Sequence, residues 1–136
     1  VKLLLDTHAL LWWLAKSKKL SRRAATEIAR ADTLLVSAVT CWEVASLVAA
    51  KRVVLDRTID AWLHDLEADE QIELVPLSPR AAILSFTLEL QGFHPDPADR
   101  LIYATAAELI VPLVTADGRI HDFVDADGQP PVRVIW

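Results

Sequence analysis

Three leucines running straight into an aspartate, then an apolar helical pattern, constrain this chain more than any other stretch: LLLDTHALLWWL at residues 3–14. A short run that is apolar at every position suits a strand buried on both faces, as in the middle of a parallel sheet. In open α/β sheets, ligands bind in the crevice beyond the carboxyl ends of the strands. Asp6 stands where this strand ends, so the chain delivers an acid to that edge.

The rest of the sequence alternates the same two patterns. Ala9 to Ala15 reads as a helix closed by the Lys16–Lys19 cluster, and Ser21 as the N-cap of a second helix with Ala24, Ala25, Ile28 and Ala29 inward. Leu34 to Val36 is a second apolar run, and a long helix is expected from about Thr40 to Lys51. Asp56 is expected to cap the next helix, whose apolar positions are Ile59, Trp62, Leu63 and Leu66. Ile72 to Val75 is a weaker third strand interrupted by Glu73, and Pro79 starts a helix that Gly92 stops. After a loop from Gly92 to Pro97, Asp96-Pro97 opens a helix containing Leu101, Ile102, Ala106 and Leu109. Val111 to Thr115 reads as a fourth strand, Asp117-Gly118 as a turn and Val132 to Ile135 as a fifth strand. Such alternation implies right-handed βαβ units, hence an α/β chain with a mostly parallel sheet of about five strands covered by helices on both faces. With no repeat or linker, residues 1–136 are expected to form one domain.

Composition agrees and excludes some classes. A hydrophobic fraction of 53% suits a doubly covered sheet, or an apolar patch kept for a partner. The longest charge-free stretch, Thr33 to Trp42, is ten residues, against the roughly 20 of a membrane span. The N-terminal residues lack the pattern of a secretory signal, so a cytoplasmic protein is expected. Cys41 is the only cysteine, which excludes an internal disulfide and a multi-cysteine zinc site. The net charge of −5 argues against broad electrostatic binding to nucleic acid, unless the acids are clustered and neutralised by cations.

Four acids fall where strands end or the next helices begin: Asp6, Glu43, Asp99 and Asp117. Each has a local explanation. Asp6 serves as a helix cap, Thr40-x-x-Glu43 matches a capping box, Asp99 sits in the first turn after Asp96-Pro97, and Asp117-Gly118 is a turn dipeptide. Together they say more, because the topology brings the ends of the first, second and fourth strands to one edge. Carboxylates gathered there repel one another, and a hard divalent cation relieves that. The constellation suits metal-assisted phosphodiester hydrolysis. No HExxH or Cys/His spacing points to zinc.

At this point the chain resembles PIN-domain ribonucleases of the VapC type, the toxins of prokaryotic toxin–antitoxin pairs. The matching blocks are LLLDTHALLWWL (3–14), SAVTCWEVASLVAAKRVVL (37–55), HPDPADRLIYATA (94–106) and LVTADGRI (113–120), in family order and separation. The resemblance implies a Rossmann-like α/β/α sandwich, a Mg²⁺- or Mn²⁺-dependent endoribonuclease that blocks translation, and four site acids at Asp6, Glu43, Asp99 and Asp117. Asp99 is preferred to Asp96 because it keeps the family spacing to Leu101-Ile102-Tyr103-Ala104, which leaves Asp96 as the N-cap; Asp122 is a poorer fourth acid than Asp117. A homodimer, a cognate VapB-type antitoxin seated in a groove, and contact with DNA only through that antitoxin are implied as well.

Around these acids the residues leave alternatives open. Thr7, Ser37, Thr40 and Thr115 serve either a carboxylate or the local backbone. His8, His94 and His121 are expected to be structural or rim residues, since two-metal hydrolysis needs no histidine base. Arg100 meets either a phosphate or a nearby acid. Lys16, Lys18, Lys19, Arg22, Arg23, Lys51 and Arg52 either track RNA or solvate helix surfaces, and the tryptophans at 12, 13, 42 and 62 serve core or interface. A haloacid-dehalogenase-like phosphatase would want an aspartate where His8 stands. A catalytically silent PIN-like module that binds RNA or protein is the other rival.

Overall fold

A computed structural model describes all residues, 1–136. Five parallel strands, β1 (Lys2–Leu5), β2 (Thr33–Ser37), β3 (Ile72–Val75), β4 (Leu113–Val114) and β5 (Val134–Ile135), lie in the order β3-β2-β1-β4-β5. β1 is central, paired with β2 through Leu3↔Leu34 and Leu5↔Val36 and with β4 through Leu5↔Val114. Successive side chains of a strand point to opposite faces, and both faces of β1 are sealed. Leu4 joins Leu35, Leu113, Ala81, Leu88, Ile102 and Tyr103 in one core, while Leu3 and Leu5 join Leu34, Val36, Ala9, Leu10, Ile28 and Trp62 in the other. The α/β/α sandwich therefore stands as expected, with apolar runs where burial is two-sided.

Seven helices cover the sheet: α1 (Thr7–Leu14), α2 (Arg22–Arg30), α3 (Ala38–Ala49), α4 (Ile59–Ala68), α5 (Pro79–Leu90), α6 (Pro97–Leu109) and α7 (Gly118–Asp125). Several begin where capping chemistry predicts. Ser21 Oγ accepts from Ala24 N at 3.0 Å, and Asp96 Oδ1 accepts from Ala98 N at 2.9 Å. Gly92, at φ +82°, turns the chain after α5 in a conformation that favours glycine.

Three expectations are corrected. α3 starts at Ala38, not Thr40, because Ser37 caps it by accepting from Val39 N at 3.0 Å. Thr40 is thus inside the helix, and the capping-box explanation of Glu43 falls. α4 is capped by Thr58, whose Oγ1 accepts from Ala61 N at 3.1 Å, while Asp56 pairs with Arg57 in the preceding loop. Asp117-Gly118 is the start of α7 rather than an isolated turn, a helix whose Ile120, Phe123 and Val124 recur at helical spacing and pack on the core. The last two strands are also shorter than their apolar runs; Pro112 precedes β4, and Pro130 and Pro131 precede β5.

Candidate active site

The sheet order puts a topological switch point beside β1. The chain leaves β1 for β2 on one side and later returns to place β4 on the other. A crevice opens beyond the carboxyl ends at such a point. Here it is a cleft of about 460 Å³ whose lining includes Asp6, Glu43, Asp96, Asp99 and Asp117. All four acids expected at the site therefore line one cleft. Asp6 follows β1, Glu43 lies in the second turn of α3, Asp99 in the first turn of α6, and Asp117 follows β4.

Asp6 is buried and caps α1, its Oδ1 accepting from Ala9 N at 2.8 Å. The local explanation and the site placement hold together, since one oxygen serves the cap. Burial raises its pKa, an effect partly offset by the Thr115 hydroxyl and the Ala9 amide and increased by nearby Glu43. Thr7 Oγ1 lies 3.3 Å from Thr40 Oγ1, so two buried hydroxyls tie α1 to α3. Thr115 Oγ1 accepts from Asp117 N at 3.1 Å, which shapes the turn out of β4.

The tightest grouping contains a residue expected to be structural or at the rim. His94, Asp99 and Asp117 each offer a ligand atom within 4.8 Å of the others. His94 Nε2 lies 2.7 Å from Asp99 Oδ2 and 3.7 Å from Asp117 Oδ2, with the histidine side chain only 8% exposed. Its Nδ1 is buried without a partner. A proton is costlier to bury unpaired than a lone pair, so the favoured neutral tautomer carries its hydrogen on Nε2 and donates it to Asp99. His94 is stacked on Phe93 at 4.6 Å, and Arg100 Nε donates to its carbonyl at 3.0 Å. Arg100 also pairs with Glu89 at 3.3 Å, which bears out the acid-pairing alternative and makes this arginine a brace for the loop. The sequence signal for His94 was its place in HPDPADR, two residues before the Asp96 cap.

Asp99 is pushed up to about 6, first by burial and then by Asp96 and Asp117, against the lowering hydrogen bond from His94. For Asp117, burial raises the pKa but the hydrogen bonds and charge of Arg119 outweigh it, leaving the group below its ordinary value. Arg119 grips both oxygens of Asp117, at 3.2 and 2.9 Å, and reaches Asp99 at 4.0 Å. Neither Arg119 nor its role was anticipated from sequence; the arginine enters the site only because α7 begins at Gly118.

Other expectations sort themselves by geometry. Asp96 caps α6 as read, although it also lines the cleft. Asp122 lies exposed on α7, off the cleft lining. His121 Nε2 contacts the Thr115 carbonyl at 2.8 Å and is structural, whereas His8 lines the cleft. Among the basic residues, Arg52 lines it as well. Trp62 is core, Trp42 is 64% exposed and Trp12 stands on the cleft wall.

An oxygen-rich cleft in which burial holds Asp6 and Asp99 above the ordinary carboxylate range fits a hard divalent cation. Only one residue of the tight cluster contributes nitrogen. No helix is long and apolar enough to cross a membrane.

A parallel sheet with an acidic switch-point crevice defines the class, and sequence comparison agrees: the PIN domain family matches residues 3–126, and the chain belongs to that family. Within it, the chain is 40% identical over 118 residues to Ribonuclease VapC22 of Mycobacterium tuberculosis, covering 87% of this chain and 88% of that protein. The fold is similar to VapBC2 from Rickettsia felis, solved bound to a DNA fragment from their promoter (TM-score 0.65, 16% identity, 98% of this chain and 97% of that one). It is also similar to VapC20 of M. tuberculosis, a Sarcin-Ricin loop cleaving toxin (TM-score 0.63, 14% identity, 96% and 98%). At those identities the structural likeness speaks to fold.

Proposed function

We propose that residues 1–136 act as one PIN unit, a metal-dependent endoribonuclease and the toxin of a VapBC-type pair, cleaving RNA phosphodiester bonds to inhibit translation. The observation that carries this is the convergence of Asp6, Glu43, Asp99 and Asp117 on one cleft at the switch point of the sheet. The 40% identity to a VapC ribonuclease supports the substrate class. Asp6, Glu43, Asp99 and Asp117 would hold Mg²⁺ or Mn²⁺. When bound, such ions polarise a phosphoryl oxygen, lower the pKa of water and stabilise a leaving oxygen.

The chain's own residues set up that chemistry. His94 orients Asp99 by its Nε2 hydrogen bond, and Thr7, Thr40 and Thr115 fix the floor around Asp6 and Asp117. Arg119 balances Asp117 and Asp99 when no cation is bound, and it is 61% exposed, so it is free to swing toward a phosphate. A cognate VapB-type antitoxin would silence the site, and DNA would be reached only through that antitoxin. Ile83, Phe86 and Leu90 leave an exposed apolar face on α5, of the kind that a second copy covers in a homodimer.

The test is incubation of total cellular RNA with purified, antitoxin-free protein in Mg²⁺, Mn²⁺ and EDTA, with Asp6→Asn in parallel. Discrete fragments that require metal and vanish with Asp6→Asn are expected. Metal-independent RNA binding without any cleavage would favour a silent binding module instead.

A further inference from the structure

One wall of the acidic cleft is aromatic. His8 and Trp12 stand one helical turn apart on α1, so both side chains fall on the same helix face. Both line the cleft together with Asp6, Glu43 and Asp99. Their ring centroids are 5.7 Å apart, and Trp136 packs against Trp12 at 5.6 Å. The interplanar angles are 52° and 56°, so neither neighbour lies flat on the indole. His8 is exposed and Trp12 half-buried, whereas Trp62 is sealed in the core. Cations stand close by: Lys19 Nζ lies 6.0 Å from the indole centroid, and Arg52 is on the cleft lining.

Single-stranded RNA is held by this combination, with splayed bases stacked on aromatic rings and the backbone tracked by Lys and Arg. A ring that only completed the hydrophobic core would have no reason to face carboxylates. Lys19 and Arg52 also favour a phosphodiester strand over an apolar peptide. We propose that Trp12 and His8, supported by Trp136, form a nucleobase-stacking subsite that holds an unpaired RNA base beside the bond the acidic cluster addresses. This subsite rests on the ribonuclease reading of the cleft and extends it to how the strand is gripped.

The experiment compares two probes, fluorescein-labelled deca-adenylate and a decamer of abasic riboside phosphates, by anisotropy in Mg²⁺ at low temperature. The proteins are Asp6→Asn, which leaves the RNA uncut, and the same chain with Trp12→Leu, Trp12→Phe or His8→Ala added, each checked by circular dichroism. Trp12→Leu is expected to weaken deca-adenylate binding about 5- to 150-fold, the scale of one lost base–aromatic stack. Trp12→Phe retains most of the affinity, and His8→Ala, a change at an exposed residue, shifts it in the same direction as Trp12→Leu. The abasic probe binds all four proteins alike. Equal losses for both probes, or undiminished deca-adenylate binding by Trp12→Leu and His8→Ala, would overturn the subsite and leave the aromatic wall to a protein partner. The two readings fail separately. Metal-dependent cleavage with base-independent binding removes only the subsite, and base-dependent binding without cleavage removes only the nuclease.

Discussion

Asp99 and His94 show how a single pair sets the behaviour of the cleft. Asp99 titrates near 6 rather than 3.8, first because it is buried and then because Asp96 and Asp117 face it. A folded-state pKa above the unfolded one means that Asp99 contributes stability fully below about pH 4, and that this contribution is lost as pH rises through about 6. A bound cation reverses the sign, because it favours the ionised carboxylate. Divalent affinity should therefore fall as pH drops through about 6 and level off above neutrality, which calorimetric titration of Mg²⁺ or Mn²⁺ from pH 5 to 8 would read; an affinity flat across that range contradicts it. His94 lowers the Asp99 pKa by its hydrogen bond. Replacing it by Leu should raise the Asp99 carboxyl titration, followed by carbon NMR, and weaken Mn²⁺ binding. A His94→Gln change keeps a donor and should fall between Leu and wild type. That Asp6, Glu43, Asp99 and Asp117 gather at one edge is legible in the sequence, because Asp6, Asp99 and Asp117 stand at strand ends or helix starts and Glu43 lies in the second turn of the helix after β2. The part of His94 is not, because its approach to Asp99 depends on the path of the Gly92–Pro97 loop and on the brace from Arg100.

At the level of elements, sequence and structure part where two local signals compete. Ser37 and Thr40 both suit an N-cap, and only the end of β2 at Ser37 decides between them. The outcome matters for the site, since moving the cap to Ser37 releases Glu43 from backbone duty and leaves it on the cleft. The Asp117-Gly118 pair reads equally as a turn or a helix start, and the Ile120, Phe123, Val124 spacing decides for the helix. That helix is anchored by Phe123, which meets Phe93 at 5.0 Å and Tyr103 at 5.5 Å. Gly128 closes against the same ring, and a Cβ there would clash with Phe123 Cε1. Gly128→Ala should therefore cost about 1–3 kcal/mol by forcing the ring out of its packed position. A urea midpoint unchanged from wild type would show that the ring moves freely and that α7 is looser than it looks.

Across the whole molecule, alternation of apolar runs and helical patterns was enough to read a parallel α/β sandwich, because two-sided burial forces that pattern on β1 and β2. Strand order was not in the pattern. It is the order β3-β2-β1-β4-β5 that brings four acids scattered over more than a hundred residues to one cleft. The net charge of −5 then gains a local meaning, since part of it is concentrated where a cation is expected. Mn²⁺ binding, followed by loss of the free-ion electron paramagnetic resonance signal, tests directly whether these acids form one divalent site. Wild type should bind one or two ions saturably, and Glu43→Gln and Asp99→Asn should each weaken that binding at least about ten-fold while keeping the far-ultraviolet dichroism of wild type. Binding that is absent, or indifferent to both substitutions in folded protein, would contradict that site.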